Sequence, residues 1–347
     1  MAGWQSGYAA ACKAVYAGSI PASASSYLVF YKEVIMRYVV TGGSGFIGSH
    51  LVSKLQRMDD AEVVVIDRLS NHKNLNNIPN HYNTKYYFAD ISDPEITSKL
   101  IQKGDIVFHL AAQSHVDVSF SNPLTTIKSN VIGTQNVLNA CLTNKSKKLV
   151  VMSTDEVYGS TDTISNKNLL DPTNPYSASK AAADMIANSY RHMYKEFDFV
   201  TLRSNNIFGT GQFIRNIIPR FICLGALKKK MTIHGDGSAT RRYLWVGDAV
   251  NALIILGTKP TLKHIYNIGH EKSYSNLEVA NLIGNNLNLK NFVTLEKDRI
   301  FNDTSYPCDY SDIKEEFNWN FTIDLSDGLP EIIEWYKERL HQFEPFL

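Results

Sequence analysis

The chain has 347 residues, 44% of them hydrophobic and 20% charged, a composition that suits a globular protein long enough to bury a sizeable core without cross-links. Lys and Arg total 35 against 34 Asp and Glu, for a formal charge of +1, so no broad electrostatic hold on nucleic acid or on an anionic membrane is expected. Cys12, Cys141, Cys223 and Cys308 lie far apart without a CxxC pair, and the histidines show no HExxH spacing. These patterns predict no disulfide framework, no metal and a reducing, cytoplasmic setting. No uninterrupted apolar run reaches the ~18 residues of a membrane-spanning helix.

Residues 1–35 are rich in Ala, Ser, Gly and Tyr and show no amphipathic period. Ala22-Ser23-Ala24 would suit a signal-peptide cleavage site, but no basic region precedes it and Lys13 interrupts the apolar part. The stretch from Gly3 to Pro21 reads like a conceptual translation of a transfer-RNA gene, so residues 1–35 are expected to be a non-native or disordered leader and Met36 the true start. From there short apolar runs alternate with helical patterns. Strands are expected at Tyr38–Thr41, Glu62–Asp67, Lys85–Ala89, Asp105–Leu110, Lys148–Ser153 and Phe199–Arg203, with helices at Phe46–Arg57 and Asp184–Tyr194. Near-continuous Val/Ile/Leu strands alternating with helices predict an α/β fold, a Rossmann-type doubly wound parallel sheet. After about Gly209 the regularity weakens. Residues 36–208 are read as the dinucleotide-binding domain and 209–347 mainly as a smaller, interleaved α/β substrate domain. Its segments near 243–270, with Val246–Leu256 and Ile265–Gly269, are expected to return to the core.

Thr41-Gly-Gly-Ser-Gly-Phe-Ile-Gly48 follows the first strand and opens the first helix. Gly42, Gly45 and Gly48 give GxxGxxG, and Gly43 completes GxGxxG, a loop in which side chains would block a pyrophosphate while the helix N-terminus offers N–H groups to it. Phe46 and Ile47 flank the same cradle. Asp67 ends the second strand, 19 residues after Gly48, where a carboxylate accepts ribose hydroxyls and repels a 2′-phosphate. NAD is therefore expected rather than NADP, although Arg68 alongside has the charge to neutralise such a phosphate. Asp90-Ile91 ends another strand and suits either an adenine contact or a plain turn. Leu110-Ala111-Ala112 closes a further strand with residues mostly small enough for a dinucleotide to approach. Tyr176-Ser-Ala-Ser-Lys180 is YxxxK, which on a helix puts phenol and ammonium on one face. A lysine there is expected to lower the phenol's pKa, so that Tyr176 can take a hydroxyl proton as hydride leaves the same carbon.

Ser153-Thr-Asp-Glu-Val-Tyr-Gly159 lies about two dozen residues upstream. Together with TGGSGFIGS, HLAAQSHVD, PTNPYSASK, RSNN, IHGDG, YNIG and the pair Asn302-Asp303 before Tyr306, it makes residues 37–336 resemble the NAD-dependent nucleotide-sugar 4,6-dehydratases of the extended short-chain dehydrogenase/reductase group. The resemblance implies that Tyr176 takes the O4 proton, that Thr154 and Lys180 support the phenolate, that Glu156 removes the C5 proton and that Asp155 protonates the departing O6 hydroxyl. It further implies Ser129 and Asn206 at the cofactor, and Ser114, Thr154, Asn205, Arg241 and Asn267 at a nucleotide-sugar substrate. Rhamnose-type sugars would be the downstream destination, and a homodimer built on helices after Pro123 and around Tyr176 the usual assembly. Epimerases and decarboxylases of the same superfamily share the loop and YxxxK but lack the adjacent Asp155-Glu156. Two departures fall near the diphosphate: Ile214-Arg215-Asn216 replaces Pro-Glu-Lys, and Ser305 replaces an arginine. Arg215, Arg242 and Arg299 are the candidate replacement cations. Gln113 and the Asn302-Asp303 pair resemble the UDP-glucose enzymes more than the dTDP-glucose ones, yet one methyl separates the two bases.

Overall fold

The computed structural model describes residues 35–70, 81–160, 169–297 and 309–347. The expected leader, and Arg299, Asn302, Asp303, Ser305 and Tyr306, lie outside the described residues apart from Ile35. Seven parallel strands form the central sheet: β1 (Met36–Thr41), β2 (Ala61–Asp67), β3 (Thr84–Phe88), β4 (Ile106–His109), β5 (Lys148–Thr154), β6 (Phe199–Ser204) and β10 (Ile265–Ile268), in the spatial order β10-β6-β5-β4-β1-β2-β3. Their sequences run nearly all apolar because each strand is buried on both sides. Tyr38, Val40, Val63, Val65, Phe108 and Val150 belong to one core. The alternating Val39, Val64, Ile66, Val107, Leu149 and Val151 belong to the core on the opposite face. This is the period-two alternation of a pleated strand.

Helix α1 (Phe46–Leu55) and helix α8 (Val246–Thr258) cover the first face. Helix α5 (Gly133–Asn144) and helix α6 (Pro175–Met193) cover the second. Helix α2 (Pro94–Leu100) is capped by Asp93, and a run of short helices, α3 (Val116–Ser121), α4 (Pro123–Ile127) and a π-helical turn (Lys128–Ile132), leads into α5. Helix α6 begins nine residues before the expected Asp184, since Asn174 and Ser177 form a reciprocal capping box with Pro175 in the first turn.

Beyond β6 the remaining elements build a second layer. Strands β7 (Asn206–Phe208), β9 (Thr240–Trp245) and β11 (Ser273–Ser275) form one small sheet, and β8 (Met231–His234) pairs with β12 (Val293–Glu296). Helices α7 (Ile217–Ala226), α9 (Asn276–Asn286) and α11 (Leu325–Glu338) pack there around Phe221, Ile222, Tyr243, Ile283, Leu329 and Tyr336. Helix α10 (Ser311–Phe317) precedes α11, and the short helix α12 (Leu340–Phe343) follows it. The chain leaves this layer twice, with α8 returning to the sheet face and β10 adding to its edge beside β6. The strand order reverses at β1, so the loops after β1 and β4 diverge and open a crevice at the carboxyl ends of the strands.

Candidate active site

A cleft of about 1530 Å³ runs from the loop after β1 across the carboxyl ends of β4 and β5 to the second layer. At its inner end Gly42, Gly45, Phe46, Ile47 and Gly48 line the wall. Gly42 has φ +73°, and a Cβ there would sit 2.7 Å from the backbone of Ala111; a Cβ on Gly48 would lie 2.1 Å from the Gly42 carbonyl oxygen. Glycine is the residue that permits this close packing of loop on loop. Gly45 starts α1 with no side-chain cap, leaving the helix N-terminus to a ligand's phosphates.

Asp67 lines the cleft with one carboxylate oxygen accepting from the Ser44 amide at 3.0 Å and the other from the Leu69 amide at 2.8 Å; burial raises its pKa against these bonds. Arg68 turns away from the 2′-phosphate role, since its Nη1 lies 3.2 Å from Asp90 Oδ2. Asp90 also accepts from the Ser92 amide at 2.8 Å. Its carboxylate thus serves a turn and an ion pair, while Asp90 and Ile91 both remain on the cleft wall. Leu110, Ala111, Ala112, Ser114, Ser129 and Asn206 complete this wall. The cradle fits a dinucleotide: glycine backbone and small residues where the pyrophosphate would lie, a carboxylate where the ribose would lie, and the neighbouring cation already paired.

Thr154 ends β5 and caps a 3-10 turn (Asp155–Tyr158) that carries the acid pair. Thr154, Glu156, Tyr176 and Lys180 line the cleft. Glu156 Oε2 accepts from Asn174 Nδ2 at 3.3 Å, so the residue that caps α6 also holds the carboxylate. Asn174 was missed by the sequence reading, although an Asn before Pro175 and three residues ahead of Ser177 signals the cap.

Lys180, Asp155 and Asn267 are all buried. Lys180 Nζ donates to the Met152 carbonyl at 2.6 Å, and burial lowers its pKa, opposed by Asp184. Burial first, then the Glu156 and Asp155 carboxylates, raise the phenol's pKa, and the Thr154 hydroxyl lowers it. Asp155 does not line the cleft; it is 3% exposed, behind Thr154 and Asn205. Its Oδ2 accepts from Asn205 Nδ2 at 2.6 Å and its Oδ1 from Thr154 Oγ1 at 3.2 Å. Burial pushes this carboxyl up to about 6 against those bonds and the charge of Arg241. Asn267 likewise stays inside, 2% exposed, its Oδ1 accepting from the Tyr158 hydroxyl at 3.1 Å. Arg203, paired with Asp184 at 2.8 Å, donates to the same hydroxyl at 2.7 Å. The chain of bonds pins the far end of the acid-bearing turn.

At the outer end Asn205 and Arg241 line the cleft as expected, joined by Arg215 and Arg220. Arg215 stands 5.8 Å over the Phe213 ring, and the His115 imidazole lies 5.3 Å from the same ring. Ile214 is buried in the second-layer core, and Asn216 sits at the N-cap of α7. Arg242 does not reach the cleft. It follows Arg241 on β9, so it points to the opposite face, where its guanidinium donates to the carbonyls of His270 and Glu271.

A dinucleotide cradle at the crevice of a doubly wound sheet, beside a Thr–Tyr–Lys group at the ends of β5 and α6, defines an NAD-dependent enzyme of the short-chain dehydrogenase/reductase type. The profile of the NAD dependent epimerase/dehydratase family matches residues 38–269, and the chain belongs to that family. It is 36% identical to a dTDP-D-glucose 4,6-dehydratase of Dictyostelium discoideum, across 87% of this chain and 82% of the relative. Among solved structures it resembles a dTDP-glucose 4,6-dehydratase of Streptomyces venezuelae with NAD bound, with a TM-score of 0.83, 31% identity and coverage of 89% and 99% of the two chains. It also resembles a UDP-glucose 4-epimerase of Thermotoga maritima with UDP-glucose, with a TM-score of 0.80, 26% identity and coverage of 88% and 100%. The cofactor is NAD, which the glycine loop and Asp67 would hold and which would supply a hydride acceptor and donor.

Proposed function

We propose that the chain is a nucleotide-sugar 4,6-dehydratase, converting UDP-glucose or dTDP-glucose to the 4-keto-6-deoxy sugar nucleotide and water. The observation that carries this reading is the adjacent Asp155 and Glu156 in unlike surroundings. Glu156 faces the cleft with an amide donor at 3.3 Å, while Asp155 is enclosed and pushed up to about 6. An elimination needs one group ionised to take a proton and one protonated to give it, and environments that drive two carboxyls apart supply that division. Epimerisation at C4 needs no such pair.

In this reading Tyr176 takes the O4 proton as C4 is oxidised, and the Lys180 ammonium, one helical turn on and held at the Met152 carbonyl, favours the phenolate against the burial and carboxylates that raise its pKa. The resulting C4 ketone acidifies C5–H, and Glu156 removes that proton. Asp155 supplies the proton with which the O6 hydroxyl leaves as water, and Glu156, whose proton exchanges with solvent in the cleft, protonates C5 as C6 is reduced. Ser114, Asn205 and Arg241 position the sugar and diphosphate, and Arg215 and Arg220 add cationic charge where the usual Pro-Glu-Lys is missing. Turnover in D2O tests the assignment. The expected product is a 4-keto-6-deoxy sugar carrying deuterium at C5, and an epimerised sugar without solvent label would refute it.

The partner we propose is a second copy of this chain. Phe120, Leu124, Ile127, Met185 and Met193 are exposed on the neighbouring helices α3, α4 and α6. That apolar face suits a bundle of helices from two subunits. A cytoplasmic setting fits the free, buried Cys141 and Cys223 and, among the described residues, the lack of any helix long and apolar enough to cross a membrane.

A further inference from the structure

Arg242 brings a charge to a partly buried place on the far side of β9 from the cleft. The backbone opposite it is a connection between two sheets. The ladder of β10 ends at Ile268, and β11 begins at Ser273, which pairs with Arg242 itself. Residues 269–272 belong to neither ladder, so no strand partner sets their peptide planes. Arg242 does so instead. Its Nη1 donates to the His270 carbonyl at 3.1 Å and also to the Glu271 carbonyl, a charged donor on two successive peptides. The His270 ring lies 4.0 Å from the Phe321 ring, and its Nδ1 accepts from the Lys272 amide at 3.1 Å. The turn is thereby held from both sides.

What the turn presents to the active site is the His270 N–H. It donates to Asn205 Oδ1 at 3.3 Å, and Asn205 Nδ2 donates to Asp155 Oδ2 at 2.6 Å. His270, Asn205 and Asp155 are all buried. A carboxamide has one accepting end and one donating end, so the donor behind Asn205 decides which end meets the carboxyl. With the His270 N–H in place, Nδ2 faces Asp155, and a neutral Asp155 carries its proton on Oδ1. Turned over, the Asn205 carbonyl oxygen would accept the acid's proton on Oδ2 and hold it away from the departing O6.

We propose that Arg242 is a positioning residue for the dehydration step: by clamping the 269–272 turn it keeps the His270 N–H on Asn205, and so keeps the Asn205 amide donating to Asp155. The inference rests on the dehydratase reading. It confines the effect of Arg242 to the step in which the C6–O6 bond breaks. There Glu156 takes the C5 proton, the C5–H pair forms C5=C6, the C6–O6 pair leaves with the oxygen, and the Asp155 proton completes the water. Oxidation at C4 uses Tyr176 and NAD and draws nothing from Asp155.

The test compares Arg242→Met, which keeps an apolar stem and removes the donors, with wild type in the NAD-loaded enzyme. Two substrates are used: whichever of UDP-glucose and dTDP-glucose the wild type dehydrates, and its 6-chloro-6-deoxy analogue. Chloride leaves C6 with the bonding pair and needs no proton, and hydride return then gives the same 4-keto-6-deoxy product. Circular dichroism and retained NAD check the fold, and Arg242→Gln, which keeps an amide donor, takes the place of a methionine variant that does not fold. Rapid mixing follows the nicotinamide through a single turnover. Its reduction should stay within about twofold of wild type, while its reoxidation should slow by about tenfold or more with the natural sugar and by less than about twofold with the chloro sugar. In an Asn205→Leu background, Arg242→Met should add less than about twofold, because its route through the amide is already cut. Reoxidation at the wild-type rate, equal slowing with both sugars, or the full slowing on top of Asn205→Leu would each overturn the assignment. Failure of the underlying reading looks different, since wild type would then release no 4-keto-6-deoxy product from either natural sugar.

Discussion

Replacing Asn205 by leucine probes how the acid is tuned. Asn205 Nδ2 lies 2.6 Å from Asp155 Oδ2 in a buried setting, so its bond stabilises the carboxylate over the neutral acid. A hydrogen bond to a charged group is worth roughly 1.5–3 kcal/mol, and about 1.4 kcal/mol moves a pKa by one unit. Losing the donor should therefore raise Asp155 from about 6 by roughly one to two units. The sign of the activity change follows from the role. Asp155 must be protonated to act, so activity falls as pH rises through its pKa, and the variant should hold its activity to higher pH. The assay is the pH profile of kcat/KM with the nucleotide sugar. Asn205 also lines the cleft, so KM is expected to rise, but weaker substrate binding by itself would leave the alkaline limb in place. An unmoved limb would refute both the acid role of Asp155 and the tuning by Asn205.

Glu156→Gln should oxidise C4 and then stall, because an amide cannot remove the C5 proton; rapid mixing should show the near-ultraviolet absorbance of reduced nicotinamide rising and persisting. Tyr176→Phe should retain NAD and the fold, yet lose turnover by at least about a hundredfold, measured in steady state. Asp155→Asn should alter stability in a pH-dependent way. The folded-state pKa near 6 lies above the ordinary 3.8, so the wild type is favoured below pH 4 and loses order-of-magnitude 3 kcal/mol as pH rises through 6, a loss that denaturant titrations of the variant should lack. Leu124→Asp with Met185→Asp should convert a dimer to monomers in sedimentation analysis, because the proposed interface would then have to bury carboxylates in place of exposed apolar side chains.

The sheet was legible because its strands are apolar on both faces. Ala61–Asp67 and Lys148–Thr154 read as buried strands without any knowledge of their partners, and the glycine loop named β1 as the crevice strand. The Tyr176 helix was readable as a spacing but not as a start, since Tyr-Ser-Ala-Ser is weakly apolar and the cap at Asn174 carries the signal instead. Arg241 and Arg242 could be told apart only once Thr240–Trp245 was known to be a strand, and its Gly- and Arg-rich surroundings hid that. The burial of Asp155 and Asn267 was not legible at all. It depends on Asn205 and Tyr158, which lie 50 and 109 residues away along the chain, and no local pattern encodes such pairings. The same holds for Lys180, whose bond to the Met152 carbonyl follows from how α6 crosses β5.

The most direct measurement of the account is turnover of UDP-glucose and dTDP-glucose labelled with deuterium at C4, with the product analysed by mass spectrometry and NMR. The account predicts a product lighter by one water, a ketone at C4, and the deuterium carried to the C6 methyl group. A product of unchanged mass, inverted at C4 and still deuterated there, would contradict it and make the chain an epimerase.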